Sequence, residues 1–184
     1  MNLVVTHQDM TSGFQGEVEK HAGTRISDCY QCGKCSAGCP VCPDMYYTPS
    51  QIIRLIQLGL KDEVLSSRTI WVCASCQTCT TRCPKEVDIA GVMDACRQMA
   101  IGEGKVNPEA HDILAFHETF LKMIRKYGRL YEVRLVGEYK MKTFHFMQDA
   151  TVAPFMLLRG KLHLLPEKIK NVKALRRIFE KCGA

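Results

Sequence analysis

The apolar positions of this chain recur at helical rather than alternating intervals. Thr48-Pro49-Ser50-Gln51 offers an N-cap, a proline at the first helical position and a capping-box glutamine. Ile52, Ile53, Ile56 and Leu60 follow at helical spacing, and Gly59 marks the expected end. A short second helix is predicted over 62–67. Asp88 is placed to cap another helix, with Ile89, Val92, Met93, Cys96 and Met99 as its apolar stripe and Gly102 and Gly104 at its end. The methionines of that stripe read as core. Asn107-Pro108-Glu109 repeats the cap-plus-proline start, ahead of Ile113, Phe116, His117, Phe120 and Ile124, and Gly128 closes the run. His117 reads as a satisfied or partly buried histidine rather than a ligand. Further helix is predicted over 131–147, with Pro154 and Pro166 breaking the chain beyond it. In 167–181, Ile169, Val172, Leu175, Ile178 and Phe179 alternate with basic residues, the pattern of an amphipathic helix. Only Leu3-Val4-Val5 suggests a strand. The expected class is mainly α.

The chain has 184 residues, 46% hydrophobic and 24% charged, which is ordinary for a globular protein, but its 11 cysteines are not ordinary. The first ten residues lack the basic start and apolar run of a secretory signal. No stretch approaches the roughly 18 apolar residues of a membrane span. A cytoplasmic setting is therefore expected, where clustered cysteines bind metal or do redox chemistry.

The cysteines form a repeat. Cys29, Cys32, Cys35 and Cys39 are spaced C-x2-C-x2-C-x3-C and followed by Pro40. Cys73, Cys76, Cys79 and Cys83 repeat the spacing 44 residues later and are followed by Pro84. Both match the bacterial-type run that holds [4Fe–4S] clusters, whose fourth cysteine ligates the other cluster in two-cluster ferredoxins. Cys29, Cys32, Cys35 and Cys83 are thus expected to hold one cluster, and Cys73, Cys76, Cys79 and Cys39 the other. Gly33 and Gly38 are read as letting the backbone approach the first cluster. Gln77 and Arg82 stand at those positions in the second loop, so unlike surroundings and unequal potentials are expected. Structural zinc would take four ligands in paired C-x2-C units and leave a surplus cysteine in each run. Cys42, Cys96 and Cys182 are read as small buried hydrophobes, not ligands.

The net charge of +6 omits any cofactor. Each oxidised cluster with four thiolates adds about −2, which leaves roughly +2 and gives no reason to expect nucleic-acid binding. The 33 residues between Cys39 and Cys73 read as helix, unlike the closely spaced motifs of small β-α-β ferredoxins. The expected organisation is an N-terminal arm (1–26), an α-helical ferredoxin domain with two [4Fe–4S] clusters (27–104) and a helical extension (105–184) suited to partner docking. Neither a G-x-G-x-x-G nor a P-loop is present. A cubane with four cysteine ligands has no open iron, so it moves electrons rather than binding substrate.

With T-P-S-Q-I-I-R-L-I-Q-L-G between the motifs and D-I-A-G-V-M-D-A-C-R after them, the chain resembles the small iron–sulfur subunit, termed the C subunit, of the cytoplasmic heterodisulfide reductase of methanogenic archaea. The resemblance covers most of residues 20–130. It implies a non-catalytic subunit that relays single electrons, in methanogenesis, from a flavin- and cluster-bearing partner to a catalytic one. The catalytic partner reduces the coenzyme M–coenzyme B heterodisulfide through C-C-G motifs, which this sequence lacks. A hydrogenase or formate dehydrogenase is a further expected partner in the larger complex; nucleic acid and membrane are not. The alternative is the iron–sulfur subunit of a flavin-dependent hydroxy-acid or glycerol-phosphate dehydrogenase, which shares the cysteine motifs. An iron–sulfur nucleic-acid-binding regulator and a free ferredoxin are the remaining readings.

Overall fold

The computed structural model describes residues 5–144, 153–160 and 165–182. Among them the regular structure is helical: α1 (His7–Met10), α2 (Phe14–Ala22), α3 (Lys34–Ala37), α4 (Pro49–Gln57), α5 (Lys61–Leu65), α6 (Thr69–Val72), α7 (Thr78–Thr81), α8 (Ile89–Gly102), α9 (His111–Tyr127), α10 (Glu132–Thr143), α11 (Ala153–Leu158) and α12 (Val172–Lys181). No strand occurs among the described residues; Leu3 and Val4 of the expected strand lie outside them, and Val5 is in no regular element. The chain divides into two compact units, Met1–Ala110 and His111–Ala184.

The first unit is a duplicated loop-and-helix design. α4 begins as its sequence dictates: Gln51 Oε1 accepts the Thr48 N–H at 2.9 Å to complete a capping box, and Pro49 fills the first turn. Gly59, at φ 75°, lets the chain turn where its Cβ would strike the Asp9 carbonyl. α8 begins with Asp88 Oδ1 accepting the Gly91 N–H at 3.0 Å. The two helices bury matching positions. Pro49, Ile52, Ile53, Leu55, Ile56 and Leu60 correspond to Ile89, Val92, Met93, Ala95, Cys96 and Ala100, each 40 residues later and each buried. Each large aliphatic side chain so buried contributes roughly 1.5–3 kcal/mol. The helices repeat at 40 residues and the cysteines at 44 because four extra residues separate Pro40 from α4.

The segment expected as an arm supplies α2, which packs on α8 and α4 and buries Phe14 and Val18. Glu19 Oε1 accepts the backbone N–H groups of Ile26 and Ser27 at 2.7 and 3.0 Å, fixing the turn that leads into Cys29. Burial works to raise the Glu19 pKa, but these bonds and Arg25 outweigh it and hold the carboxyl below its usual range.

In the second unit α9 packs on α10 and α12. Its buried ridge is Ala115, Thr119, Met123 and Tyr127, not the face read from the large apolar residues. Phe116 is 42% exposed and His117 is exposed, while Ile113, Phe120 and Ile124 flank the ridge, half-buried. The small Ala115 and Thr119 carried too weak a hydrophobic signal to reveal this face. Pro154 lies in the first turn of α11 and so starts a helix rather than breaking one. Ile169 packs over Gly128, and its N–H donates to the Tyr127 carbonyl at 3.1 Å, tying the final segment to the end of α9. Cys182 is exposed at the end of α12, contrary to expectation.

Candidate iron–sulfur site

The two cysteine loops have one backbone design. Gln31 and Gly33 are left-handed in the first loop (φ 63° and 74°), and Ser75 and Gln77 occupy the same register in the second (φ 49° and 63°). A left-handed conformation is costly for residues with a Cβ and persists where the surroundings enforce it. Each loop then enters a four-residue helix, α3 or α7. Exposure repeats as well. Cys32 and Cys76 are exposed, Cys35 and Cys79 buried, and Cys29, Cys39, Cys73 and Cys83 half-buried.

The hydrogen bonds behind the loops also repeat. Ser36 Oγ accepts the Ser50 N–H at 3.0 Å, which fastens α3 to the start of α4. Thr80, 44 residues after Ser36, accepts the Ala90 N–H at 3.3 Å and donates to Asp88 at 2.9 Å, fastening α7 to α8. Gln57 Nε2 donates to the carbonyls of Ile26 and Cys29, each at 3.1 Å. Arg97, 40 residues after Gln57, donates to the Cys73 carbonyl at 3.3 Å and to Ser75 Oγ at 2.7 Å. These four residues lie outside the set of motif cysteines. Ser36 and Thr80 match in the 44-residue register of the cysteines, Gln57 and Arg97 in the 40-residue register of the helices.

The two glycines of the first loop differ in their protein neighbours. Gly33 takes a left-handed turn, φ 74°, which Gln77 also adopts in the second loop despite its Cβ. Gly38 makes room for a side chain: a Cβ there would lie 2.6 Å from Cδ of Arg82, its own counterpart in the second motif.

The loops bring together cysteines from different motifs. One cavity is lined by Cys39 with Cys73, Cys76 and Cys79, and walled by Val41, Met45, Pro49, Ile89, Ala90 and Met93. In the first loop, Tyr30 interacts electrostatically with Cys32, Cys83 and Cys29; desolvation and these neighbours raise its phenol pKa. Among the described residues, no three His, Cys, Asp or Glu side chains converge closely enough to hold a single ion. The four thiols around the cavity stand about a space rather than a point. That donor set fits a cubane, whose irons occupy separate corners, and the walls of the cavity are largely apolar.

Burial pushes the Cys35, Cys39 and Cys79 thiols above their ordinary pKa, while a hydrogen bond with Thr78 at 3.4 Å lowers that of Cys76. A cysteine binds iron as its thiolate, so a thiol that burial holds protonated would release its proton on loading. Cys96 is fully buried at the position matching Ile56, its thiol pushed up to about 12 by burial; it packs as a hydrophobe, as expected. Cys42, half-buried, donates its N–H to the Cys39 carbonyl at 3.3 Å but does not line the cavity.

The 4Fe-4S dicluster domain family matches residues 25–87, the span of both cysteine loops. The C subunit of the H(2):CoB-CoM heterodisulfide,ferredoxin reductase of Methanothermobacter marburgensis is 33% identical over 183 residues, spanning 94% of this chain and 84% of that protein. This chain belongs to the family of heterodisulfide reductase C subunits. The Methanothermobacter thermautotrophicus protein of the same name is 32% identical over the same shares. The iron–sulfur C subunit of the CoB–CoM heterodisulfide reductase of Methanopyrus kandleri is 34% identical over 122 residues, 62% of this chain and 63% of its own. Members of the family thus share more than the cysteine loops with this chain. No helix among the described residues is long and apolar enough to cross a membrane.

Proposed function

We propose that this chain is the electron-transfer component of a heterodisulfide reductase complex, a non-catalytic part of an oxidoreductase. It holds two [4Fe–4S] clusters, one on Cys29, Cys32, Cys35 and Cys83, the other on Cys73, Cys76, Cys79 and Cys39. The observation that carries this reading is the meeting of Cys39 with three thiols of the other motif around one apolar-walled cavity. The clusters supply one-electron chemistry at fully cysteine-ligated irons. The protein holds their ligands through the Ser36, Thr80, Gln57 and Arg97 bonds and walls the second site with Val41, Ile89 and Met93.

The proposed partners are two further subunits of the reductase, in the cytoplasm. One, bearing flavin and clusters, is the donor. The other, bearing C-C-G motifs, is the site where the coenzyme M–coenzyme B heterodisulfide is reduced. A hydrogenase or formate dehydrogenase feeds the larger assembly. The helical extension after the ferredoxin domain is the proposed docking region. Its exposed Phe116, Leu121, Val136 and Met141 supply apolar area for a partner. Relatives named as subunits of such reductases support this over the flavin dehydrogenase reading. Reconstitution tests it. Donor-driven heterodisulfide reduction by the partner proteins should fall to background without this chain and return when it is added. Undiminished reduction without the chain overturns the relay.

A further inference from the structure

We propose that Arg97 is a positioning residue that sets the reduction potential of the second loop's cluster apart from that of the first. The proposal rests on the two-cluster reading. Gln57 and Arg97 occupy equivalent places: each lies on the helix that follows its loop, in the register where burial matches residue for residue, and each donates to the carbonyl of its motif's first cysteine. The first copy makes this contact with a neutral amide. The second makes it with a guanidinium whose side chain is only 17% exposed and which also holds the left-handed Ser75.

The charges around these two residues do not cancel the contrast. Asp94 pairs with Arg97 at 2.5 Å, but its side chain is 50% exposed, so water screens the carboxylate more than the guanidinium. At the place of Asp94 the first copy has Arg54, exposed and donating to Gln57 Oε1 at 3.4 Å, one hydrogen bond farther from the cysteine. Arg82 belongs to neither cluster alone, since it precedes Cys83 and lies over Gly38 beside Cys39. Lys34 and Asp28, in and before the first loop, are exposed and opposite in sign. Reduction places one more negative charge on a cluster, and a poorly screened cation at its ligand loop favours that form. Net charge and hydrogen bonding around the ligands are among the controls of iron–sulfur potentials. Arg97 therefore raises the second cluster's potential above the value a glutamine would give.

The test is an EPR-monitored redox titration of the anaerobically prepared chain and its Arg97→Gln and Arg97→Lys variants, with iron content measured in each. The signal removed by Cys76→Ala marks the second cluster. Arg97→Gln should lower the reduced-to-oxidised ratio of that cluster about tenfold at fixed potential, a shift of about 59 mV for one electron. The other signal should not move, and Arg97→Lys should keep most of the wild-type value. An unmoved second signal, an equal shift of both, or loss of iron in both variants overturns the proposal. A wild-type chain without iron–sulfur signals sinks the functional reading instead.

Discussion

In the first unit, α4 and α8 each bury a near-continuous apolar face, and Phe14, Val18, Val64, Leu65, Ile70 and Trp71 close around them. In the second, among the described residues, Met123, Tyr127 and Leu135 form a buried hydrophobic cluster, with Phe120, Leu130 and Tyr131 packed against it. Ion pairs occur on both units, Lys61–Glu103 at 2.8 Å and Lys105–Asp62 at 2.7 Å in the first, and Lys122–Glu138 and Arg134–Glu138 at 2.6 Å, Lys142–Glu118 at 2.8 Å, and Arg129–Glu167 in the second. The difference separates two ways of ordering a helical chain. A duplicated core holds two cysteine loops in register. A narrow ridge orders helices that leave Phe116, Leu121 and Met141 exposed.

Cysteine variants break the comparison most severely. Cys83→Ala should remove the cluster bound by Cys29, Cys32 and Cys35, about half the iron expected for two four-iron clusters, and abolish relay. Iron analysis with EPR decides it; selective loss of the other cluster would overturn the cross-ligation. Next in size is the duplicated core. Ile53→Ala and Met93→Ala, at matching positions, should each cost about 2–5 kcal/mol in denaturant unfolding of the first unit. A Leu135→Ala change should cost less than either, because the thinner cluster around it can relax.

The smallest effect concerns the charges. The lysine and arginine bonds hold the Glu138 carboxyl below its ordinary 4.5. Its folded pKa is depressed, so its contribution is full above that value and is lost as pH falls through the lower folded one. Glu138→Gln should cost about 1 kcal/mol or less, and 1 M salt should remove most of the difference. Thermal melts of both proteins from pH 3 to 7 should converge at the acid end. An equal gap across the range would mean that packing, not charge, is at work.

The sequence made some of this legible and hid the rest for physical reasons. The cysteine runs carry their chemistry in spacing alone, and the cap at Thr48 and the stripe from Ile89 to Cys96 are local patterns that the structure bears out. The bonds of Gln57 and Arg97 to the cysteine loops join residues 22 or more positions apart, and local patterns do not report such pairs. The closeness of Gly38 to Arg82 joins one motif to the other, and neither loop's own sequence reports it. In α9 the ridge of Ala115 and Thr119 was masked by larger apolar residues that the fold leaves half-buried or exposed.

The central claim is that two cysteine sets, each borrowing one ligand from the other motif, carry two [4Fe–4S] clusters. Anaerobic isolation of the chain, with iron and sulfide analysis and EPR of the reduced protein, tests it most directly. The account predicts about eight irons and eight sulfides per chain and signals from two interacting reduced clusters. About four irons, or stoichiometric zinc in place of iron, would contradict it.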